Sequence, residues 1–392
     1  MRIAFHAPMK APDDPVPSGD RLVARNLVAA LERGGHEATL AARFRSYDRG
    51  DPERQARLEL VGRRLAGRLV CRLTDPALRP DLWFTYHLYH KAPDHLGPAV
   101  SAALDIPYVV AEASVAGKQR GGPFDRGFRA SLAALARADL VVTLNPGDAA
   151  GVAPHLRPGV AMLSLPPFID GAPFAAARRD REAARAELAR RFTLDTGRIW
   201  LVAAAMMRAD QKLASYRLLA DALGGLGGAP FELLVAGAGP AEAAVRSAFA
   251  DAGIKAHFLG EVPAGAMPAL LAASDLYVWP AVKEAFGMAL IEAQAAGLPV
   301  VAGASPGVAS VVEHDATGLL VPPGDAAAFG AGVASLLNPR RRAEFSAAAR
   351  RRALATHDIA GAAARLGAAL SETCESFRAA RSLPRFLPRS LH

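Results

Sequence analysis

Short apolar runs alternate along the chain with longer segments of helical periodicity, the rhythm of parallel strands joined by crossover helices. The first run, residues 3–6, passes through a loop holding Pro12, Pro15, Pro17 and Gly19 into a helical pattern over residues 20–33. Gly34 and Gly35 end that pattern, and residues 37–41 read as the next strand. Further strands are expected at 82–85, 107–111 and 140–144, each preceded by a helical or turn segment. This is the opening of a doubly wound α/β sheet.

The stretch 165–174, with Pro166, Pro167, Gly171 and Pro173, interrupts the rhythm and leads into one charged helix over about residues 178–191. A linker is expected there. A second alternating series comes next, with strands at 200–204, 231–236, 257–259, 276–279, 300–302 and 319–321. The halves are similar in architecture without a sequence-level repeat. The expected division is 1–168, 169–356, and a C-terminal helix and tail over 357–392 that packs back toward the N-terminal domain. The last part is helical and basic to about residue 380; then Arg381, Arg385 and Arg389 are spaced among Leu383, Phe386 and Leu387. That tail reads as a loosely docked terminus, with contact to a membrane as the competing reading.

With 392 residues and 51% hydrophobic content, the chain can bury two cores of ordinary size. Aromatics are only 6%, which suits short strands and Ala-rich helices better than a β-sandwich. Cys71 and Cys374 are the two cysteines, so neither a disulfide framework nor a cysteine metal site is indicated. The first residues lack a signal-like apolar stretch, and every apolar window is broken well before about 18 residues. A cytoplasmic protein is expected. The formal charge of +8 suits an anionic partner. Between Arg43 and Arg79 ten arginines stand against five acids, interleaved with Leu58, Leu60, Val61, Leu65, Leu69 and Val70. This is either a solvated helix face beside a packed one or a surface for peripheral contact with an anionic membrane. Nucleic acid is not an expected partner, because no recognised binding motif is present and few aromatics are available to stack on bases.

Residues 278–302, VWPAVKEAFGMALIEAQAAGLPVVA, are the most informative segment. A strand ends at Trp279 and Pro280, a loop carries Lys283, Glu284, Phe286 and Gly287, and a helix begins at about Met288. A helix N-terminus offers unpaired N–H groups and a positive dipole, both of which favour a phosphate. Glu292 lies about one turn into the helix, where its carboxylate can accept from two neighbouring hydroxyls, as a ribose presents them. Glu284 sits in the loop within reach of a sugar.

This segment closely resembles the signature of retaining GT-B glycosyltransferases of family 4. There, two glutamates separated by seven residues flank a Gly-Phe-Gly type loop, and an Ala-Gly-Leu-Pro-Val-Val strand comes after them. Glu284, Phe286, Gly287, Glu292, Gly297, Pro299 and Val300 fall in register, with Ala285 where the family usually has Gly. The resemblance continues in order through LVAGAGP (234–240), FLGEV (258–262) and TGLLVPPGD (317–325). It implies two facing Rossmann-like domains with parallel sheets and an interdomain cleft, the donor held by the C-terminal half. Gly237, Gly239, Glu261, Val262, Phe286, Gly287, Met288 and Glu292 are then donor-binding candidates, although turns like that of Gly237 and Gly239 also serve helix packing.

The family commonly places an Arg and a Lys after this domain's first strand to neutralise the donor diphosphate. In AAAMMRADQK the candidates are Arg208 and Lys212, and aligning Lys212 puts Met207 where the Arg commonly stands. Acceptor recognition normally lies in the N-terminal half, where Ser18 and Gly19 precede a helix and would face the diphosphate across the cleft. Where family members often carry a His, after PYVVAEAS, this chain has Ala113, with Glu112 and Ser114 beside it. His87, His90 and Glu112 are the acceptor-side candidates, the histidines standing in YHLYHK. No acidic partner is fixed by spacing for a zinc site there, and the resemblance implies catalysis without a metal or cofactor.

The activity implied by the resemblance is retaining transfer from a nucleotide-diphosphate sugar to a glycan, lipid-linked or other glycoconjugate acceptor, with Glu284, Arg208 and Lys212 as catalytic candidates. The alternatives are a degenerate noncatalytic nucleotide-sugar-binding protein and a GT-B epimerase or phosphorylase.

Overall fold

The computed structural model describes residues 1–16, 18–284 and 287–382. The expectations for Pro17, Ala285, Phe286, Leu383, Arg385, Phe386, Leu387 and Arg389 lie outside the described residues. The chain divides into two compact units, Met1–Pro166 together with the residues from Ile359 onward, and Pro167–Asp358.

The first unit runs β1 (Arg2–His6), α1 (Gly19–Arg33), β2 (Glu37–Leu40), α2 (Pro52–Leu73), β3 (Leu82–Leu88) and α3 (Gly97–Leu104). It continues through β4 (Tyr108–Ala113), α4 (Asp125–Arg137), β5 (Leu140–Thr143), α5 (Pro146–Val152) and β6 (Ala161–Ser164). The second unit holds α6 (Ala172–Arg179), α7 (Arg181–Phe192), β7 (Ile199–Ala204), α8 (Gln211–Gly224), β8 (Phe231–Ala236) and α9 (Glu242–Asp251). Next come β9 (Ala256–Gly260), α10 (Met267–Ala273), β10 (Leu276–Trp279), α11 (Met288–Ala295), β11 (Val300–Gly303) and α12 (Pro306–Ala309). β12 (Gly318–Val321), α13 (Ala326–Leu336) and α14 (Pro339–Thr356) complete that unit, and α15 (Ile359–Ser382) returns to pack on α1 of the first.

Both sheets have six parallel strands, in the orders β2-β1-β3-β4-β5-β6 and β12-β11-β10-β7-β8-β9. Each is doubly wound. Because helices cover both faces, the inner strands read as continuous apolar runs: Leu82, Trp83 and Phe84 in β3, and Val109, Val110 and Ala111 in β4, are fully buried. Each such large side chain contributes about 1.5–3 kcal/mol by leaving water.

Polar residues fix where the helices start. Ser18 Oγ accepts from Arg21 N at 3.2 Å to open α1, and Asp51 accepts from Glu53 N and Arg54 N at 3.0 and 3.1 Å to open α2. Asp210 does the same for α8, accepting from Lys212 N at 2.9 Å. A doubly wound sheet leaves a crevice beyond the carboxyl ends of its strands where the winding changes direction. In the first unit that point lies between β1 and β3, and in the second between β7 and β10.

Three details depart from the expectation. β6 is a strand where none was expected: residues 160–165, VAMLSL, are apolar but stand directly before Pro166 and Pro167, and the strand is a half-exposed edge of four residues. The single charged helix over 178–191 is two helices meeting at Asp180. Pro173, expected within an interrupting linker, instead stands in the first turn of α6, where a missing N–H costs nothing.

Candidate functional site

At the β7/β10 switch point, Lys212 on the first turn of α8 meets Glu284 in the loop after β10: Lys212 Nζ lies 2.5 Å from Glu284 Oε2. Trp279 Nε1 donates to the same oxygen at 3.3 Å, and its ring lies 5.3 Å below the Lys212 ammonium. The Glu284 carbonyl accepts from Ser305 Oγ at 3.1 Å, and Ser215 Oγ accepts from Val282 N at 3.1 Å, so side chains from α8 and the β11–α12 turn hold the loop. Both members of the pair are about one-fifth exposed. A desolvated, hydrogen-bonded pair of this kind costs much more to leave half-made than a surface ion pair does.

The loop ends at Gly287, whose φ of +65° is left-handed and which caps α11 without a side-chain hydrogen bond. The first N–H groups of α11, from Met288, therefore lack a side-chain cap from Gly287. Met288 itself is buried. Glu292 stands one turn later. It has no ion pair or side-chain hydrogen bond among the described residues, and burial pushes its carboxyl up to about 7. Glu284 and Glu292 both bear on the buried Tyr277 hydroxyl, which donates to Ala204 O at 3.0 Å.

Arg208 is exposed, with its Nε 3.1 Å from Asp210 Oδ2. Met207 is fully buried. Its N–H donates to Ala238 O at 2.9 Å, and Gly239 lies so close that a Cβ there would stand 2.4 Å from Met207 O. Gly237 is equally tight, with a Cβ 2.0 Å from Ala205 O. What the structure shows of these two glycines is packing: they let the β8–α9 turn lie against the β7–α8 loop and so fix where Arg208 leaves it. Gly237 N also donates to Gly260 O at 2.7 Å, tying in the β9 end that bears Glu261 and Val262. Glu261 is exposed and Val262 half-buried.

In the first unit, Gly19 opens α1 and is exposed, and Asp20 is the next residue. His87 and Glu112 lie opposite each other, because Tyr86 pairs with Ala111 and Leu88 with Ala113. Both have left-handed backbones, φ +67° and +55°, at one rung of two inner strands. His87 Nδ1 lies 3.2 Å from Asp20 Oδ1, and its ring stacks on Tyr89 with centroids 4.8 Å apart. Burial lowers the His87 pKa, but Glu112, Asp20 and Asp148 overcome it and hold the imidazole above its ordinary value. Burial raises the Glu112 and Asp148 carboxyls. His90 is elsewhere: its ring stands edge-on to Phe124 at 5.2 Å, and burial with Lys91 and Lys118 nearby lowers its pKa. Thus His87 and Glu112 are brought together and His90 is not. Among the described residues no group of three or more His, Cys, Asp and Glu side chains is arranged to hold a metal ion.

Sequence reasoning passes over Asp20, Asp148 and Trp279. The two aspartates occupy first turns of helices, where an acid is ordinary, and Trp279 reads as a strand residue.

The Lys212–Glu284 site lies in a segment that is similar to a known family. Residues 208–352 match the model of "Glycosyl transferases group 1". The match falls within the second unit, Pro167–Asp358. A relative from Mycobacterium tuberculosis, a GDP-mannose-dependent alpha-(1-6)-phosphatidylinositol monomannoside mannosyltransferase, is 30% identical over 228 residues, 54% of this chain and 56% of the relative. The chain thus spans about half the length of the curated relatives it matches first. Among solved structures, the fold is similar to sucrose-phosphate synthase from Thermosynechococcus elongatus (TM-score 0.73, 19% identity, 96% of this chain and 99% of that one). It is also similar to Anabaena HepE in complex with UDP (TM-score 0.70, 17% identity, 95% and 100%). The fold is GT-B, two Rossmann-like units of parallel sheet.

Proposed function

We propose that the protein is a retaining glycosyltransferase that moves a sugar from a nucleotide-diphosphate sugar to a glycan, lipid-linked or other glycoconjugate acceptor. The observation that carries this reading is the Lys212–Glu284 pair across the β7/β10 switch point, with Glu292, which has no partner among the described residues, one turn into α11, inside the segment matched by the glycosyltransferase family. A donor would exchange partners there. Its diphosphate takes Lys212, Arg208 and the α11 N-terminus, while Glu284 is released to accept from a sugar hydroxyl and Glu292 accepts from the ribose. The largest effect on rate is stabilisation of charge on the leaving diphosphate, supplied by groups already in place. Attack comes from the face the diphosphate leaves, with the departing phosphate assisting removal of the acceptor proton.

The reading carries no metal or cofactor, so chelation of divalent ions leaves the rate unchanged. It places the enzyme in the cytoplasm, peripheral on the inner face of the membrane. In support, α2 turns Arg57, Leu60, Val61, Arg64 and Arg68 to solvent, with Leu60 and Val61 45% and 49% exposed. No described helix is long and apolar enough to cross a membrane. A noncatalytic donor-binding protein is the second reading, favoured by the burial of Met207 and Ala113, the positions at which the resemblance leads one to expect Arg and His.

The test is titration with UDP, GDP, ADP and their sugar conjugates, repeated on Glu292→Ala, with donor turnover measured on the same samples. Selective binding lost in the variant, with turnover in the wild type, supports the reading. Binding without turnover favours the noncatalytic one, and a folded protein that binds no nucleotide refutes both.

A further inference from the structure

Trp279 ends β10 at the point where Lys212 and Glu284 meet, and it touches both. It is buried. Its backbone is fixed beside Ala302 of β11, and Tyr216 stands edge-on to its ring with centroids 5.0 Å apart. Lys212 and Tyr216 stand one turn apart on α8, so one face of that helix brings the ammonium over the ring and the phenol against it. The Tyr216 hydroxyl donates to Ala205 O at 2.7 Å, which fixes the phenol in turn.

The indole N–H sets this residue apart from the other two tryptophans. Trp83 Nε1 donates to Thr85 and Trp200 Nε1 to the Asp195 carbonyl, both partners outside the Lys212–Glu284 site. Trp279 Nε1 donates instead to Glu284 Oε2, the oxygen that already accepts from Lys212 Nζ. With both donors on one oxygen, Glu284 Oε1 accepts no hydrogen bond among the described residues, on a side chain that is 21% exposed. At 3.3 Å the indole bond is long while Lys212 shares the oxygen, with room to shorten when Lys212 leaves. Packing alone asks for an apolar side chain at the end of an inner strand; it does not ask for a buried N–H.

We infer that Trp279 is a positioning residue of the proposed donor site: its ring face holds the Lys212 ammonium where a diphosphate can take it, and its N–H keeps Glu284 Oε2 in place after that exchange, leaving Oε1 for a hydroxyl of the transferred sugar. The inference rests on the glycosyltransferase reading and adds a residue through which Glu284 tells a sugar nucleotide from a bare nucleoside diphosphate. The ring and the N–H thus act on different parts of the donor. Loss of the N–H weakens the sugar end, and loss of the ring weakens the diphosphate end as well.

The experiment is calorimetric titration of the full chain with UDP, GDP and ADP and with their sugar conjugates. Wild type is compared with Trp279→Phe, Trp279→Leu, Glu284→Ala and the double variant Trp279→Phe/Glu284→Ala. The readout is the ratio of the dissociation constants of sugar nucleotide and nucleoside diphosphate for the base that binds. Trp279→Phe keeps a ring face and removes the N–H. It is expected to weaken the sugar nucleotide about tenfold, the loss of one charge-assisted hydrogen bond, and the nucleoside diphosphate by less than about twofold. Trp279→Leu is expected to weaken both. In the Glu284→Ala background Trp279→Phe should change the ratio no further, because its effect passes through the carboxylate. If Trp279→Phe does not fold, site-specific replacement of Trp279 by benzothienylalanine, with sulfur in place of the N–H, supplies the same comparison. Equal weakening of both ligands by Trp279→Phe marks a structural role and overturns the inference, as does a fully additive loss in the double variant. A wild type that binds no nucleotide refutes the glycosyltransferase reading and this inference with it, whereas nucleotide binding with an unchanged ratio in Trp279→Phe refutes only the inference.

Discussion

Glu292 offers the most direct check on the proposed donor site, because its burial has a thermodynamic consequence even before a ligand is added. The carboxyl is pushed from 4.5 to about 7 by loss of water, with no cation or donor among the described residues to offset it. Between those values the native state holds a proton that the unfolded chain has released, so stability falls as pH rises from about 4.5 through 7. A shift of this size corresponds to at most about 3 kcal/mol lost above pH 7, somewhat less because part of the residue remains accessible. Glu292→Gln removes the ionisation and keeps the shape. The second unit of the variant should therefore melt about 5–10 °C higher than wild type at pH 8, and nearly the same at pH 5.

Binding should move the other way. If ribose hydroxyls donate to the ionised carboxylate, the competent fraction of free protein at pH 6 is about one-tenth of that at pH 8, and donor affinity should fall about tenfold between them. A sugar nucleotide is the right probe, because its diphosphate lacks the terminal phosphate ionisation that falls near pH 6. Calorimetry at pH 6, 7 and 8 on wild type and Glu292→Gln reads both effects. A variant that is less stable at pH 8, or a wild-type affinity flat across that range, would refute the reasoning: Glu292 would then be a structural acid rather than an empty acceptor.

The packing leads to three further expected outcomes. Gly237→Ala puts a Cβ 2.0 Å from Ala205 O and should cost more than about 2 kcal/mol, seen as a lower urea midpoint with weakened nucleotide binding, whereas Gly19→Ala, with open space around it, should leave the midpoint unchanged. Arg185 lies 4.1 Å over the Trp200 ring and donates to Ala273 O, Arg198 O and Asp275, so Arg185→Ala should lower stability by about 3 kcal/mol at an unchanged m-value; a loss below about 1 kcal/mol would mean that Arg181 holds Asp275 alone. Burial lowers the pKa of fully buried His6, so the stability it allows is present above pH 6.5 and lost as pH falls below it. The first unit should melt lower at pH 5 than at pH 7, and His6→Gln should flatten that slope.

How much of this could be read from the sequence depends on how local each signal is. The inner strands are legible because a parallel strand covered on both faces must be an unbroken apolar run, as in LWF of β3 and YVVA of β4. The edge strand β6 obeys no such requirement: its four residues, half-exposed and set against Pro166 and Pro167, read as the start of the linker. The segment around Glu284 and Glu292 is legible because strand, loop and helix are contiguous there. The pairings are not. Lys212 and Glu284 are 72 residues apart and His87 and Asp20 are 67 apart, so each residue alone reads as an ordinary helix-start or loop side chain. Winding order is what joins them. A strand sequence that reverses direction leaves one crevice per sheet, and only groups just beyond the two strands beside it can meet there. With the orders β2-β1-β3 and β10-β7-β8 fixed, the side chains at the carboxyl ends of β1 and β3, or β7 and β10, and on the first turns of the helices after them become neighbours whatever their distance along the chain. That is why Asp20, an ordinary acid in a first turn, belongs with His87, while His90, three residues along the same segment, faces Phe124 instead.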